Sequence, residues 1–191
     1  MNNPDRWLVL VAALVAACAH AGLGALLDGY SQLLHPVALP GADGVPRALA
    51  FNLLVFVLPG LLLAAFAWRL RGRLPARAGV GARLGTTMLL LSALAFALQG
   101  MWPLDLDQPD GGTSRLHAMA WTLWWIAFLA GSALLAVSLR ALRPATFGVW
   151  LLVLGAGVLL PQLLGPAISQ RLAFAAWFAW MWWLDGRLRA E

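Results

Sequence analysis

Charged residues are scarce in this sequence. They make up 11% of its 191 residues, lysine is absent, and hydrophobic residues reach 62%. A soluble domain carries about 25% charged residues, which it needs to cover its surface. So few charges exclude an ordinary soluble globular protein, and they indicate that lipid surrounds most of the chain.

Other absences exclude further classes of protein. The single cysteine, Cys18, leaves no partner for a disulfide within the chain. There is no glycine-rich phosphate loop, no Cys-x-x-Cys pair, no His-Glu-x-x-His and no Gly-x-Ser-x-Gly motif, so the common signatures of soluble enzymes are missing. A net charge of +5 would suit nucleic acid in a soluble protein, but here the arginines fall between apolar runs. We therefore predict no nucleic-acid partner.

Six apolar runs are each long enough to cross a bilayer as a helix, which satisfies its own backbone hydrogen bonds in lipid. Their approximate bounds are 7–27, 47–68, 84–102, 118–139, 146–164 and 168–184. The predicted fold is all-α: an integral membrane bundle of six transmembrane helices, forming a single transmembrane domain over residues 1–191. Only the stretch GPAIS separates the last two runs, so five spans and a re-entrant segment is the alternative.

The arginines predict the orientation of the bundle. If the spans alternate, ten of the thirteen arginines lie on the side that holds both termini, and only Arg47, Arg115 and Arg171 lie on the other. By the positive-inside rule, the N- and C-termini are both cytoplasmic. The outer side then carries five aspartates: Asp28, Asp43, Asp105, Asp107 and Asp110.

The N-terminal run permits a second interpretation. VAAC (Val15–Cys18) fits a lipoprotein cleavage pattern, and the following AHA fits an ordinary signal-peptide site. Because the apolar run continues to Leu27, we expect a first span that is retained.

Tryptophans and small residues suggest how the helices lie. Most of the eleven tryptophans fall near span ends, and we interpret them as an interfacial belt that includes Trp121, Trp124, Trp125, Trp180, Trp182 and Trp183. Alternatively, His117, Trp121 and Trp124 share one helix face and form an aromatic wall beneath a polar site. Small residues predict helix contacts at Ala17, Ala21, Ala25, Gly155 and Gly157. Pro59 and Pro161 predict kinks.

Titratable residues are concentrated on the predicted outer side. PLDLDQPDGGTSRLHAMAW, from Pro103 to Trp121, holds three aspartates and one of the three histidines. Loops that meet at one end of a bundle are where ligand sites usually form. The candidate ligand-binding residues are His35, Asn52, Asp105, His117, Trp121, Gln170 and Arg171.

Two chemical roles fit these residues. Asp105 or Asp107, with His117 and His35, could hold a divalent metal that activates water. Their spacing is not diagnostic, so we predict no cofactor and keep the metal as the alternative. In the second role, Arg171 binds an anionic headgroup, while Asp105 and His117 are candidate catalytic residues. Turn formation, helix capping and snorkelling would explain the same residues without any ligand.

Four segments in order resemble a known family. They are HPVALPGADGVPRALAFNLLVFVLPGLL, LLLSALAFALQGMWPLD, SRLHAMAW and SQRLAFAAWFAW. Together they are similar to the bacterial family catalogued as domain of unknown function 998, which comprises small six-span membrane proteins. The resemblance extends from about Tyr30 to Trp183.

The resemblance implies a six-helix architecture in the bacterial inner membrane and draws attention to Asn52, Asp105, His117, Gln170 and Arg171. The family name implies no established activity. Members often carry a serine in a Ser-x-Leu-Gly-like turn of the first loop. This chain reads ALPG there, with Ala38 at the serine position, which weakens any serine-nucleophile mechanism.

The predicted function is binding or processing of a lipid-like or amphiphilic molecule in a polar pocket on the outer side, with membrane lipid as the partner. A small-molecule transporter, or a structural or assembly protein without a pocket, are the alternatives. The sequence leaves open whether the protein is an enzyme and whether it is an oligomer.

Overall fold

The computed structural model describes residues 4–74 and 78–188. This part of the chain is helical and contains no strand. Arg77 and Arg189, which contribute to the arginine asymmetry, lie outside the described residues. The helices are α1 (Pro4–Ala25), α2 (Ala48–Asn52), α3 (Leu58–Arg73), α4 (Gly79–Met101), α5 (Gly112–Ser138), α6 (Arg143–Val158), α7 (Leu160–Leu164) and α8 (Pro166–Leu188).

Five helical stretches are long and apolar enough to cross a membrane. They are Asp5–Ala25, Ala48–Arg73, Gly79–Met101, Gly112–Ser138 and Arg140–Val158. This confirms the all-helical class and indicates a multi-pass membrane protein. Helix α8 has 23 residues but is not among these five, and it contains Gln170, Arg171, Asp185 and Arg187. A sixth span and the orientation of the termini therefore stay predictions.

The fifth predicted span, 146–164, is wrong as a single helix. Helix α6 ends at Val158, and the short α7 begins at Leu160. Pro161 explains the break, because proline has no N–H and its ring clashes with the carbonyl four residues earlier. Gly165, with φ of +82°, then turns the chain into α8.

A π-helical turn, Leu53–Val57, joins α2 to α3. It lies immediately before Pro59, which is the predicted kink. Proline removes one backbone donor and its ring crowds the carbonyl four residues earlier, which accounts for the widened turn before it. Val55 and Phe56 of the widened turn line two cavities inside the bundle.

The long helices form a ring. Helix α1 packs on α3, α3 on α4, α4 on α5, α5 on α6, α6 on α8, and α8 returns to α1. Aromatic side chains fill the middle: the ring centroids of Phe96 and Trp177 lie 4.9 Å apart, and those of Trp124 and Phe174 lie 4.8 Å apart. Since lipid is as apolar as this core, van der Waals packing and hydrogen bonds hold the helices together.

The core corrects two predictions about helix surfaces. Trp124 and Trp180 are fully buried in the ring, so the interfacial interpretation is wrong for both, although Trp182 is exposed. The predicted contact residues of α1 are also wrong, because α1 buries Val9, Ala12 and Ala16. The small residues on its exposed side are Ala17, Ala21 and Ala25.

An ion network ties three helices at the end of the bundle that holds the start of α1. Arg69 and Arg73 of α3 lie 2.8 and 3.1 Å from carboxylate oxygens of Asp5 in α1. Arg73 also lies 3.4 Å from Asp185 of α8, and both carboxylates are buried. Buried charges need such partners. The arginine pattern predicted that Arg69 and Arg73 share one side of the membrane, but it did not predict their carboxylate partners.

Candidate functional site

Arg171 anchors the loop between α1 and α2. Its Nη2 donates to the Tyr30 hydroxyl at 2.7 Å and to Gln32 Oε1 at 2.9 Å, and its Nε donates to the same Gln32 oxygen at 3.2 Å. Its Nη1 donates to the backbone oxygens of His35 at 3.0 Å and Ala167 at 2.7 Å. A guanidinium group has five N–H donors. All five therefore have acceptors within the chain, and the geometry of Arg171 is that of a clamp.

Two other side chains complete the polar cluster beneath this loop. His20 of α1 places Nε2 at 3.1 Å from the Tyr30 hydroxyl and 3.4 Å from Arg171 Nη2. The ring of His35 stacks on Tyr30 at 5.7 Å, and its Nδ1 accepts a hydrogen bond from the backbone of Ser31 at 2.9 Å. Burial raises the pKa of the Tyr30 phenol, although the charge and hydrogen bond of Arg171 oppose the rise. The phenol is therefore neutral at physiological pH.

Asn52 and Gln170 hold the second half of the same loop. The Asn52 amide donates to the Gly41 oxygen at 2.7 Å, and Gly41 has no room for a side chain, because a Cβ there would overlap Asn52. Gln170 Oε1 accepts a hydrogen bond from the Val37 backbone at 3.1 Å. The loop is thus fixed to α2 and to the start of α8.

Asp105 forms a turn between α4 and α5. Its Oδ1 accepts hydrogen bonds from the backbone of Asp107 at 3.0 Å and of Gln108 at 3.2 Å. The Ser114 hydroxyl accepts a hydrogen bond from the Asp105 N–H and donates one to the Asp105 carbonyl. This is ordinary turn chemistry. Over residues 4–74 and 78–188, no three His, Cys, Asp or Glu residues come close enough to hold a metal, so Asp105, Asp107, His117 and His35 do not assemble a metal site there.

Hydrogen bonds to the end of α4 hold the His117 side chain. Its Nδ1 lies 2.9 Å from the Gln99 carbonyl and 3.0 Å from the Trp102 carbonyl, at the end of α4. Carbonyl oxygens only accept hydrogen bonds, so Nδ1 carries a proton. In the neutral ring, Nε2 then keeps a free lone pair.

A cavity of about 160 Å³ adjoins His117. Its polar residues are His117, Gln99 and Gln170, and its apolar lining consists of Val37, Ala38, Phe56, Ala118, Trp121 and Phe174. The Gln99 side chain is 1% exposed, and its amide nitrogen has no hydrogen-bond partner. The two other such atoms in the described residues are indole nitrogens, on Trp124 and Trp177. An unpaired amide that borders a cavity points to a missing partner.

A second cavity, of about 200 Å³, lies against the Arg171 cluster. Val37 and Phe174 line both cavities and stand between them. The π-helical turn contributes to each, because Val55 faces the Arg171 cavity and Phe56 the His117 cavity. Turns of this kind are frequent at functional sites.

The structure thus divides the predicted site. His117, Trp121 and Gln170 line one cavity together, whereas Arg171 and His35 belong to the loop clamp, and Asn52 and Asp105 hold turns. Gln99, Tyr30 and Gln32 were not among the candidate residues predicted from the sequence. Their signal was weak, since single polar residues in apolar helices usually bond a neighbouring helix.

Comparison with protein-family models, curated proteins and solved structures finds no match to this chain. Membership of the domain of unknown function 998 family stays a prediction from the sequence.

Proposed function

We propose that this protein is a six-span bacterial inner-membrane protein, with both termini in the cytoplasm, that binds an uncharged, hydroxyl-bearing amphiphile in the His117 cavity. The arginine distribution supports the orientation. The position of α8 in the ring, between α6 and α1, supports a sixth span. The two loops near the cavity meet at the same end of the bundle, because the Asp43 N–H donates to the Leu104 carbonyl at 2.8 Å. In the proposed orientation that end is the outer one.

The polar atoms at the cavity define the class of ligand. The Gln99 amide nitrogen can donate and has no hydrogen-bond partner within the described residues, and Gln170 lines the same cavity with a second amide. The Nε2 of neutral His117 can accept. A hydroxyl group both accepts and donates, so one hydroxyl satisfies an amide and the imidazole together. Arg171, at the neighbouring cavity, has its donors occupied, and the described lining of the His117 cavity contains no arginine, so an anionic headgroup is not part of the proposal.

The shape of the cavity suggests a head of single-ring size. A volume of about 160 Å³ is close to that of a protein cavity that binds one benzene molecule. Phe56, Trp121 and Phe174 supply aromatic walls, which favour flat apolar groups. A hydroxylated ring or a compact alcohol fits both the volume and the polar atoms.

The unpaired Gln99 amide is the observation that carries the proposal. Leaving a buried donor without a partner costs about 1–3 kcal/mol. A ligand hydroxyl recovers that free energy. Because Asp105 is engaged in a turn, it gives His117 no catalytic partner, and the proposal is therefore binding rather than catalysis.

The test uses 4-methylphenol, with para-xylene as a probe of similar shape that lacks the hydroxyl. We expect 4-methylphenol to raise the melting temperature of the detergent-solubilised protein, as a ligand of the native state does. In the variant Gln99→Leu/His117→Phe, its apparent Kd should rise at least about tenfold, since two hydrogen bonds are lost. Titration of the thermal shift measures both.

The matched control is Gln162→Leu/Gln108→Leu, which changes two glutamines that do not line this cavity. It should keep the wild-type response to 4-methylphenol. Equal responses to 4-methylphenol and para-xylene, or an undiminished response in Gln99→Leu/His117→Phe, would contradict the proposal.

A further inference from the structure

A larger cavity lies at the other end of the bundle. It measures about 630 Å³ and lies between the last turns of α5 and the first turns of α6. Its lining comprises Ala133, Ala136, Val137, Arg143, Pro144, Thr146, Phe147 and Trp150. His117 lies in the second turn of α5, and the cavity lies at the opposite end of this 27-residue helix, so the cavity is separate from the proposed ligand site.

This cavity opens onto the outer surface of the helix bundle, which faces lipid in the proposed membrane protein. Val137 and Phe147 on its rim are 71% and 65% exposed. Its lining is apolar apart from Arg143 and Thr146, and the Thr146 hydroxyl already accepts a hydrogen bond from Trp180 at 3.1 Å. In a bilayer, such an opening takes up hydrocarbon, because water gains no polar partners there.

Arg143 lies at the rim of this cavity, and only some of its N–H groups donate hydrogen bonds within the described residues. Its Nε donates to the Ala136 carbonyl at 3.1 Å, and its Nη2 donates to the Val137 carbonyl at 3.4 Å. Its Nη1 makes no hydrogen bond in the part of the chain that the structure describes. Arg140, in the turn just before α6, is exposed, and no described carboxylate pairs with either arginine.

Other arginines at this end are engaged differently. Arg69 and Arg73 are paired with Asp5. Arg6 lies over the ring of Trp182 at 4.1 Å. Among the exposed arginines without a described carboxylate partner, Arg140 and Arg143 are the pair that lies where α5 ends and α6 begins, next to the cavity. The positive end of the α6 dipole adds to their charge.

We propose that this cavity binds one anionic phospholipid of the inner leaflet. The phosphate contacts Arg143 and Arg140, and one acyl chain lies in the apolar cavity. Basic pockets between transmembrane helices on the cytoplasmic side recognise anionic headgroups in this way. The proposal is independent of the His117 cavity, since no lining residue is shared.

The test is native mass spectrometry of the detergent-solubilised full chain, titrated with phosphatidylglycerol or with phosphatidylcholine of the same acyl chains. We expect the first phosphatidylglycerol to bind at least about fivefold more tightly than phosphatidylcholine, the factor expected from one arginine. In Arg140→Gln/Arg143→Gln this preference should fall to near parity. Ala133→Phe, which fills the cavity, should weaken binding of both lipids.

The matched control is Arg71→Gln/Arg83→Gln. It removes the same charge from exposed arginines on the same predicted side, and neither of them lines the cavity. This control should keep the wild-type preference. An equal loss of preference in both double variants would show that the attraction is diffuse, and it would overturn the proposal. An unchanged preference in Arg140→Gln/Arg143→Gln would overturn it as well.

Discussion

Replacing Arg171 with alanine is expected to lower the free energy of unfolding by about 2–4 kcal/mol, because several charge-assisted hydrogen bonds are lost at once. The change removes a donor from the Tyr30 hydroxyl, from the Gln32 side-chain oxygen and from the His35 carbonyl, which all accept hydrogen bonds from this guanidinium. The measurement is an SDS titration in mixed micelles, followed by tryptophan fluorescence.

The same change should release the loop itself. Amide hydrogen exchange over residues 30–37 is expected to rise sharply, because Arg171 supplies most of the side-chain links between this loop and α8. Arg171→Lys should retain part of the stability, since an ammonium group reaches fewer acceptors than the guanidinium fork.

Arg115→Ala is the matched control for this experiment. Arg115 is exposed near the start of α5, on the same predicted side, and its side chain makes no hydrogen bond in the described residues. We expect its free energy of unfolding to stay within about 0.5 kcal/mol of the wild type. If Arg171→Ala unfolds at the same SDS fraction as Arg115→Ala, the hydrogen bonds of Arg171 do not contribute to the free energy of unfolding.

Arg171 also illustrates how far the sequence could predict the site. Its presence among apolar residues marked it as important, but its partners could not be read from spacing. His35 and His20 lie 136 and 151 positions away along the chain. A saturated clamp and an anion-binding arginine look the same in the sequence. Only the contacts of all five donors distinguish them.

The fold was predictable at the level of apolar runs and not at the level of helix faces. In a soluble helix, apolar periodicity marks the buried face. In a membrane bundle, the faces towards lipid and towards protein are both apolar, so periodicity says little. Trp124 and Trp180 were therefore placed at the interface although they fill the core. For the same reason, the predicted contacts at Gly155 and Gly157 missed a close approach between two other helices.

That approach is between Gly85 of α4 and Gly131 of α5, and Gly131→Ala is expected to disrupt it. A Cβ at position 131 would lie 2.8 Å from the Gly85 carbonyl oxygen, 2.9 Å from the Met88 Cβ and 3.1 Å from the Leu89 nitrogen. Backbone atoms cannot move aside as a flexible side chain can, so the two helices must separate. Overpacking of this kind costs about 1–3 kcal/mol in the free energy of unfolding, measured by the same SDS titration.

Gly148→Ala in α6 is the control, and it should change stability in the opposite direction. Nothing lies within 4 Å of a Cβ at position 148, so the new methyl group meets no atom. Alanine is favoured over glycine inside a helix by about 0.5–1 kcal/mol, and that gain should appear undiminished. Both variants make the same chemical change in a helix, so the difference in sign isolates the contact between α4 and α5. If Gly131→Ala is as stable as Gly148→Ala, α4 and α5 do not pack as closely as their backbone positions require.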